Sequence, residues 1–401
     1  MKVLFVSSTC SSQKYNQIFQ ERTQKLIDPS QKFFDLLLRG MNVQEDTELT
    51  CLSAVPVSAS CHPKKKWERE EERVSDSLRY VYVGFRNGKL SRYFTLFFSF
   101  VKELKKARRQ KDAVILCDPL LLPGSLAVNW ITKFCHIKKV AIVTDLPDYI
   151  ACIGHKKRNI VEKIFQKVYD TMSKKQMESF DGYIFLTKQM DEVANIQRKP
   201  SLIIEGSVDS TLKNIPAEEE KEFPRAVVYA GGLHEKFGAV KLVKAFQKTT
   251  LPNTELHLYG GGQAVSFLKE VAKQEPRIQY KGVLPVSEIV GVERRATLLV
   301  NPRPSDEEFT KYSFPSKTLE YMVSGTPLLT TKLPGIPEEY FDYLYTFPED
   351  TTEAMAKQLQ KILAQEAQEL QLMGQRAKEF VLTKKNNLLQ GKKITTFLRG
   401  I

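Results

Sequence analysis

The richest chemistry in this chain lies in LVNPRPSDEEFTKYSFPSKTLEYMVSGTPLLTT (299–331), where an apolar strand ends at Asn301, a polar loop follows and a helix opens near Ser313–Pro315. Amides at the start of a helix lack intrahelical partners and share the positive end of its dipole, so a loop carrying Ser, Lys and Arg at that point suits an anion. Ser313 is expected to cap the helix, Pro315 to sit in its first turn, Gly325 to take the left-handed end and Pro327 to stop it. Glu320 falls about 7.5 Å along the helix at 1.5 Å per residue, too far to repel an anion at the N-terminus. A carboxylate there can accept from two vicinal hydroxyls, fixing the ribose of a nucleotide while the helix start holds its diphosphate. The plainer alternative is an ion pair with Lys317 at i−3 spacing.

Two further turns follow strands, YAGGLHEKFG (229–238) and YGGGQ (259–263). Glycines at the carboxyl end of a parallel strand let a ligand approach the backbone, and open α/β sheets bind ligands at that end. The alternative is a set of tight βα turns with no ligand role.

The elements that position these turns alternate. Apolar, β-rich runs at 2–7, 48–55, 79–85, 113–117, 139–145, 182–187 and 201–205 read as strands. Helical periodicity runs through 13–39, 90–109, 126–134, 160–179 and 189–195, so the first half is expected to be one doubly wound α/β domain with a parallel sheet. The small, acidic and proline-containing stretch at 206–224 reads as a linker. A second series follows, with strands at 226–231, 255–260, 278–282, 297–301 and 327–331 and helices at 239–247, 264–273, 287–294 and 315–323.

The length of 401 residues, with 42% hydrophobic and 27% charged, suits two or three ordinary domains and excludes a disordered or collagenous chain. No apolar stretch approaches the ~18 residues that would span a bilayer. MKVLFVSST reads as a first strand, its apolar run being too short for a secretory signal, and a cytoplasmic location is expected. The six cysteines all precede residue 153 without CxxC spacing, which points to free thiols in a reducing compartment and to no metal. Residues 1–200 hold 34 Lys and Arg against 22 Asp and Glu, a net +12, whereas 201–401 hold 26 against 25, a net +1. A basic first half suggests an anionic partner: a membrane face, a phosphorylated substrate or nucleic acid. No nucleic-acid module accompanies the charge runs 64–73 and 102–111, which are expected to be solvated surface.

Taken together, these segments resemble the retaining glycosyltransferases of family 4. SFPSKTLEYMVSGTPLL (313–329) is similar to the family's helix bearing the second Glu of an E-x7-E motif, which Glu320 matches. YAGGLHEKFG resembles its Gly-Arg-Leu–Lys-Gly turn, YGGG its second glycine turn, and IEGSVD (204–209) its interdomain Asn-Gly-Val-Asp segment. The resemblance covers nearly the whole chain and implies a GT-B fold, two Rossmann-like domains facing across a cleft: acceptor domain 1–205, linker 206–224, donor domain 225–384, and a closing helix at 385–401 packing back on the first. It implies a nucleotide-sugar donor bound by Gly231, Gly232, Gly260, Gly261, Val283, Ser313, Phe314, Lys317 and Glu320. No metal or other cofactor is expected, because no DxD-type carboxylate pair is evident.

The departures are specific. Tyr312 stands where the first Glu of the motif falls, with Glu307 and Glu308 the nearest acids. Gly232 stands at the family's phosphate-binding Arg, Lys236 corresponds to its Lys one place along, and Arg303 is in position to replace the lost charge. The variant resembles bacterial enzymes of capsule, exopolysaccharide or other surface-glycan assembly. Lys236 and Arg303 are then expected to neutralise the departing nucleoside diphosphate.

The first half is less explicit. Asp145, in VTDLPDY after a buried strand, resembles the family's cleft-facing strand-end residue, although it suits a turn cap equally well. Asp118 and Asp148 are acceptor-side candidates, and His155, Lys156 and Lys157 further ones. The aromatic run at 92–100 leads into a basic helix that can lie on anionic lipid at the inner face of a membrane, though a core helix with a solvated basic end accounts for most of its phenylalanines. The expected acceptor is a glycan or lipid-linked hydroxyl. A sugar-nucleotide epimerase and a catalytically silent partner subunit remain as alternatives.

Overall fold

The computed structural model describes residues 1–23, 29–107, 112–147, 160–214 and 220–401. By internal packing the chain divides into two units, 1–207 with 387–401, and 208–386.

The first unit is built on an eight-stranded sheet. Its strands are β1 (Lys2–Ser7), β2 (Glu48–Ser53), β4 (Glu70–Arg73), β5 (Leu78–Tyr82), β7 (Ala113–Cys117), β8 (Lys138–Val143), β9 (Gly182–Phe185) and β10 (Ser201–Ile203), with β3 (Lys66–Trp67) and β6 (Phe85–Arg86) forming a separate ribbon. The spatial order is β10-β9-β8-β7-β1-β2-β5-β4, and every pairing is parallel except β4 on β5. The run 64–73 is solvent-exposed as expected, apart from Trp67 and Glu72, and its end forms this edge strand. Glu72 accepts from the Tyr82 hydroxyl at 2.6 Å and from Ser11 Oγ at 2.9 Å, and Trp67 is buried. A highly charged strand at an open edge blocks pairing with other chains.

The helices are α1 (Ser12–Glu21), α2 (Pro29–Asn42), α3 (Ser91–Ala107), α4 (Leu122–Thr132), α5 (Ile160–Met177) and α6 (Lys188–Ala194). The periodicity through 13–39 therefore covers two helices. The first is capped by Ser11, whose Oγ accepts from the Lys14 amide, and it stops at Arg22, whose backbone is extended. Pro29 opens the second, where its missing N–H is harmless.

The second unit has a six-stranded, wholly parallel sheet of β11 (Arg225–Ala230), β12 (Thr254–Tyr259), β13 (Ile278–Gly282), β14 (Leu298–Asn301), β15 (Leu328–Thr331) and β16 (Tyr345–Phe347), in the order β13-β12-β11-β14-β15-β16. Its helices are α7 (Ala239–Gln247), α8 (Val265–Gln274), α9 (Val286–Arg295), α10 (Ser316–Ser324), α11 (Thr352–Leu363) and α12 (Ala367–Lys384). Numbered within the unit, the strand order is 3-2-1-4-5-6, the doubly wound dinucleotide-fold order with its reversal beside β11. Along β11, Val227 and Tyr229 enter one apolar cluster and Ala226, Val228 and Ala230 the other. Burial on both faces explains why the strand reads as a continuous apolar run. Each buried Val or Leu contributes about 1.5–3 kcal/mol.

Residues 208–214 and 220–224 pack with this second unit, where Val208 bridges to Asn386 and the Glu222 amide donates to Arg295 O. The last helix, α13 (Asn387–Gly400), belongs to the first unit. It crosses α2 so closely that a Cβ on Gly40 would stand 1.8 Å from Asn387 O, and Arg399 donates to Glu45 O at 2.7 Å.

Candidate functional site

The reversal of strand order in the second unit puts two loops side by side, the turn after β11 and the loop after β14. Their contact is backbone to backbone. Gly238 (φ +80°) lies so near the second loop that a Cβ there would sit 1.8 Å from Pro302 O. The turn after β12 is as close on the other side, since a Cβ on Gly260 (φ +132°) would sit 1.8 Å from Gly231 O. These two glycines therefore serve turn-on-turn packing, which the expectation of ligand approach alone did not include. Gly261 is different: an added Cβ would meet only Val283, at 3.8 Å, and Val283 is 71% exposed.

Around this packed rim the structure gathers two of the expected cations. Lys236 Nζ lies 5.4 Å from the centre of the Phe237 ring and the Arg303 guanidinium 5.1 Å from the same centre; Arg303 is also 5.5 Å from the Phe309 ring. Two rings thus hold the guanidinium in place. No carboxylate among the described residues lies within ion-pair distance of it, and burial lowers its pKa from the usual arginine value. Tyr229, next to the same turn, donates its hydroxyl to Gly232 O at 2.9 Å; burial pushes its pKa up to about 12, with Arg303 acting the other way. An arginine half-buried between two rings, with no carboxylate among the described residues beside it, is stabilised by an anion that reaches it.

α10 is fixed to this rim by Tyr321, whose hydroxyl meets both the amide and the carbonyl of Ala230, at 2.9 and 3.0 Å. The helix starts later than the sequence suggested. Ser313 does not cap it: the hydroxyl donates to Phe309 O at 3.2 Å, the residue is extended and Pro315 is the cap position. The reason is the proline, which disfavours helical geometry in the residue before it. The Ser313 and Phe314 amides donate to no acceptor among the described residues, while the Phe314 ring packs on Tyr340. Gly325 does end the helix in the left-handed conformation.

Glu320 and Lys317 form the i−3 pair named as the alternative, with Nζ to Oε2 at 3.0 Å. Both side chains are about one-third exposed, at 28% and 33%, so the pair is reachable. Glu307 and Glu308 point to solvent, and Tyr312 ends a short 3₁₀ turn (Glu308–Tyr312).

In the first unit, Asp145 lies just past β8 and burial pushes its pKa up to about 6. Asp118 is buried and is committed locally: its Oδ1 accepts from the Leu120 amide at 3.0 Å, its own amide donates to Val6 O at the end of the β7–β1 pairing, and its carbonyl accepts from the Leu121 amide, which closes the turn into α4. Asp148, His155, Lys156 and Lys157 lie outside the described residues. Five cysteines, at 10, 51, 61, 117 and 135, are free thiols. Among the described residues no group of three or more His, Cys, Asp or Glu side chains is placed to hold a metal.

The raised pKa of Asp145 has a stability consequence with a definite sign. The fold favours the neutral acid, so the penalty is absent below its unfolded pKa near 3.8, grows as pH rises and is complete above about 6. Asp145→Asn is expected to raise stability at pH 8, by up to about 3 kcal/mol, and to leave it nearly unchanged at pH 4. Urea titrations of both proteins at the two pH values measure this; an equal shift at both would mean that the carboxyl is not what burial penalises.

Residues 224–365 match the family model described as glycosyl transferases group 1. No curated protein matches the sequence. Among solved structures, a sucrose-phosphate synthase from Thermosynechococcus elongatus superposes with a TM-score of 0.66 at 16% identity, covering 100% of this chain and 99% of the other. Anabaena HepE, solved in complex with UDP, superposes at 0.62 with 12% identity and full coverage of both chains. The lipopolysaccharide outer core galactosyltransferase WaaB superposes at 0.61 with 15% identity, covering 100% and 99%.

The fold is GT-B. Within this GT-B chain the family match begins one residue before β11 and runs through α11, so it contains every donor-side candidate named above. The aromatic parts of the GT-B rim were not singled out from the sequence. Phe237 and Phe309 lie on different loops, and only the strand order that brings those loops together shows that they share Arg303.

Proposed function

We propose that the protein is a glycosyltransferase of the retaining, family 4 type. In this reading it takes a sugar from a nucleoside diphosphate sugar and passes it to a hydroxyl on a glycan or lipid-linked acceptor, in surface polysaccharide assembly such as that of capsule or exopolysaccharide. The observation that carries it is the pairing of Lys236 and Arg303 about Phe237 at the reversal of strand order, with no carboxylate among the described residues in ion-pair reach of Arg303. That is where a doubly wound sheet binds a ligand, and two cations there match a diphosphate whose charge grows as the sugar bond breaks. The free Ser313 and Phe314 amides add fixed donors, and Glu320 takes the ribose. The reading routes no step through a metal. The group 1 match over 224–365 supports it, as do the similar structures of HepE in complex with UDP-glucose and of the galactosyltransferase WaaB.

The first test is a thermal-shift series with UDP-, GDP- and ADP-sugars. A ligand at a hundred times its Kd adds ~2.7 kcal/mol, so one nucleotide family is expected to raise Tm and the others not. Absence of any shift, together with no release of nucleoside diphosphate, would sink the proposal. A second reading, a nucleotide-binding subunit without turnover, is favoured by Tyr312 in the motif position and by the solvent-facing Glu307 and Glu308. Tight binding with no transfer or hydrolysis would select it.

A further inference from the structure

Three neighbouring helices of the first unit expose large apolar side chains in i, i+4 pairs. Phe94 and Phe98 do so on α3, Trp130 and Phe134 on and just after α4, and Val168 and Met172 on α5. Phe94 is 66% exposed, Phe98 65%, Trp130 53% and Phe134 59%. The rings form a chain, with Phe97 to Phe98 at 5.3 Å, Phe97 to Trp130 at 6.5 Å and Trp130 to Phe134 at 6.1 Å. They rim a groove of about 1020 Å³ between the helices, floored by Leu122, Leu126 and Tyr169. The reading of this aromatic run as core therefore holds for Leu96 and Phe100 but not for Phe94 and Phe98.

The charge beside this apolar surface is mainly positive. Lys133, Lys138, Lys139 and Lys175 line the groove, against one lining carboxylate among the described residues, Asp181, which already accepts from the Lys139 amide at 2.9 Å. Further out on the same helices stand Lys102, Lys105, Lys167 and Lys174, all exposed. A second copy of the chain would set lysine against lysine across a two-fold interface. A surface that joins exposed Trp and Phe to a lysine collar instead matches a bilayer boundary, where rings enter the headgroup layer and ammonium groups meet lipid phosphate. No helix among the described residues is long and apolar enough to cross a membrane.

We propose that the groove between α3, α4 and α5 is a lateral docking surface for an anionic lipid bilayer. It places the first unit against the membrane, where a lipid-linked acceptor would be found. The docking stands apart from the donor reading, since vesicle binding and nucleotide binding are read separately.

The test uses the full chain with phosphatidylcholine vesicles, with and without phosphatidylglycerol. Trp67 is buried, so Trp130 is the exposed one of the two tryptophans and reports on the surface directly. Vesicles containing phosphatidylglycerol are expected to sediment the protein, to shift Trp130 emission to the blue and, with brominated acyl chains, to quench it; phosphatidylcholine alone should do none of these. Phe94→Ser with Phe98→Ser is expected to reduce partitioning roughly tenfold or more. Lys133→Gln with Lys138→Gln and Lys175→Gln should remove most of the salt sensitivity. Quenching in the parent needs no variant, so misfolding of a variant cannot hide the answer. The proposal is overturned if anionic vesicles neither sediment the parent nor quench Trp130, or if the folded aromatic variant sediments like the parent. It is equally overturned if lipid-free sedimentation shows a dimer that the aromatic variant dissociates.

Discussion

Arg303→Ala is expected to lower kcat/KM for sugar transfer or donor hydrolysis by roughly 100- to 1,000-fold, the usual effect of losing one preorganised group that stabilises developing charge. The effect should depend on the ligand. Affinity for the nucleoside diphosphate should fall while affinity for the bare nucleoside stays the same if, as proposed, the guanidinium faces the phosphates. Arg303→Lys should rescue little: a lysine keeps the charge but cannot lie as a flat plate against Phe237 and Phe309. Calorimetric titration of nucleoside, nucleoside diphosphate and nucleotide sugar into the three proteins separates these outcomes. Equal losses for nucleoside and diphosphate would remove Arg303 from the phosphate role.

Glu320→Ala should show the opposite pattern. Losing hydrogen bonds to the ribose is expected to cost about 1.5–3 kcal/mol for nucleoside and diphosphate alike. A 2′-deoxy donor should bind the parent more weakly and the variant no more weakly than its ribose counterpart. The fold should survive, because the salt link to Lys317 is partly exposed and such pairs contribute at most about 1 kcal/mol. Were binding unchanged and only Tm lowered, the Lys317 pair would be the whole role of Glu320.

The elements most legible in the sequence were those buried on one consistent pattern. β1, β7 and α7 have the bounds that periodicity and turn residues implied, because apolar runs between glycine, proline and charged residues leave little choice. β4 was not legible, since EEER has no apolar member and holds its place through polar contacts to Tyr82, Ser11 and Lys14 and the pairing on β5. The start of α10 was misjudged because Ser313 is a good cap in isolation, whereas Pro315 two residues later decides where the helix begins. Glu320 could be named from residue type and spacing, and Lys236 and Arg303 from the family resemblance. Their support could not: the clamp of Phe237 and Phe309, the hold of Tyr321 on Ala230 and the interlocked glycine turns all join segments far apart in the chain.

The return of α13 to the first unit bears on how the protein is made. Residues 208–386, the whole of the second unit, are synthesised between Ser207 and the helix that packs on α2. At translation rates of ~5–20 residues per second the ribosome needs roughly 10–40 s for that stretch. Throughout it, the first unit waits with Gly40 and its neighbours on α2 uncovered, and the second unit gains its last strand, β16, before that wait ends. The unit that begins first is thus the one finished last, and a chaperone that shields the bare face of α2 would act on a nascent chain while its second unit is being made.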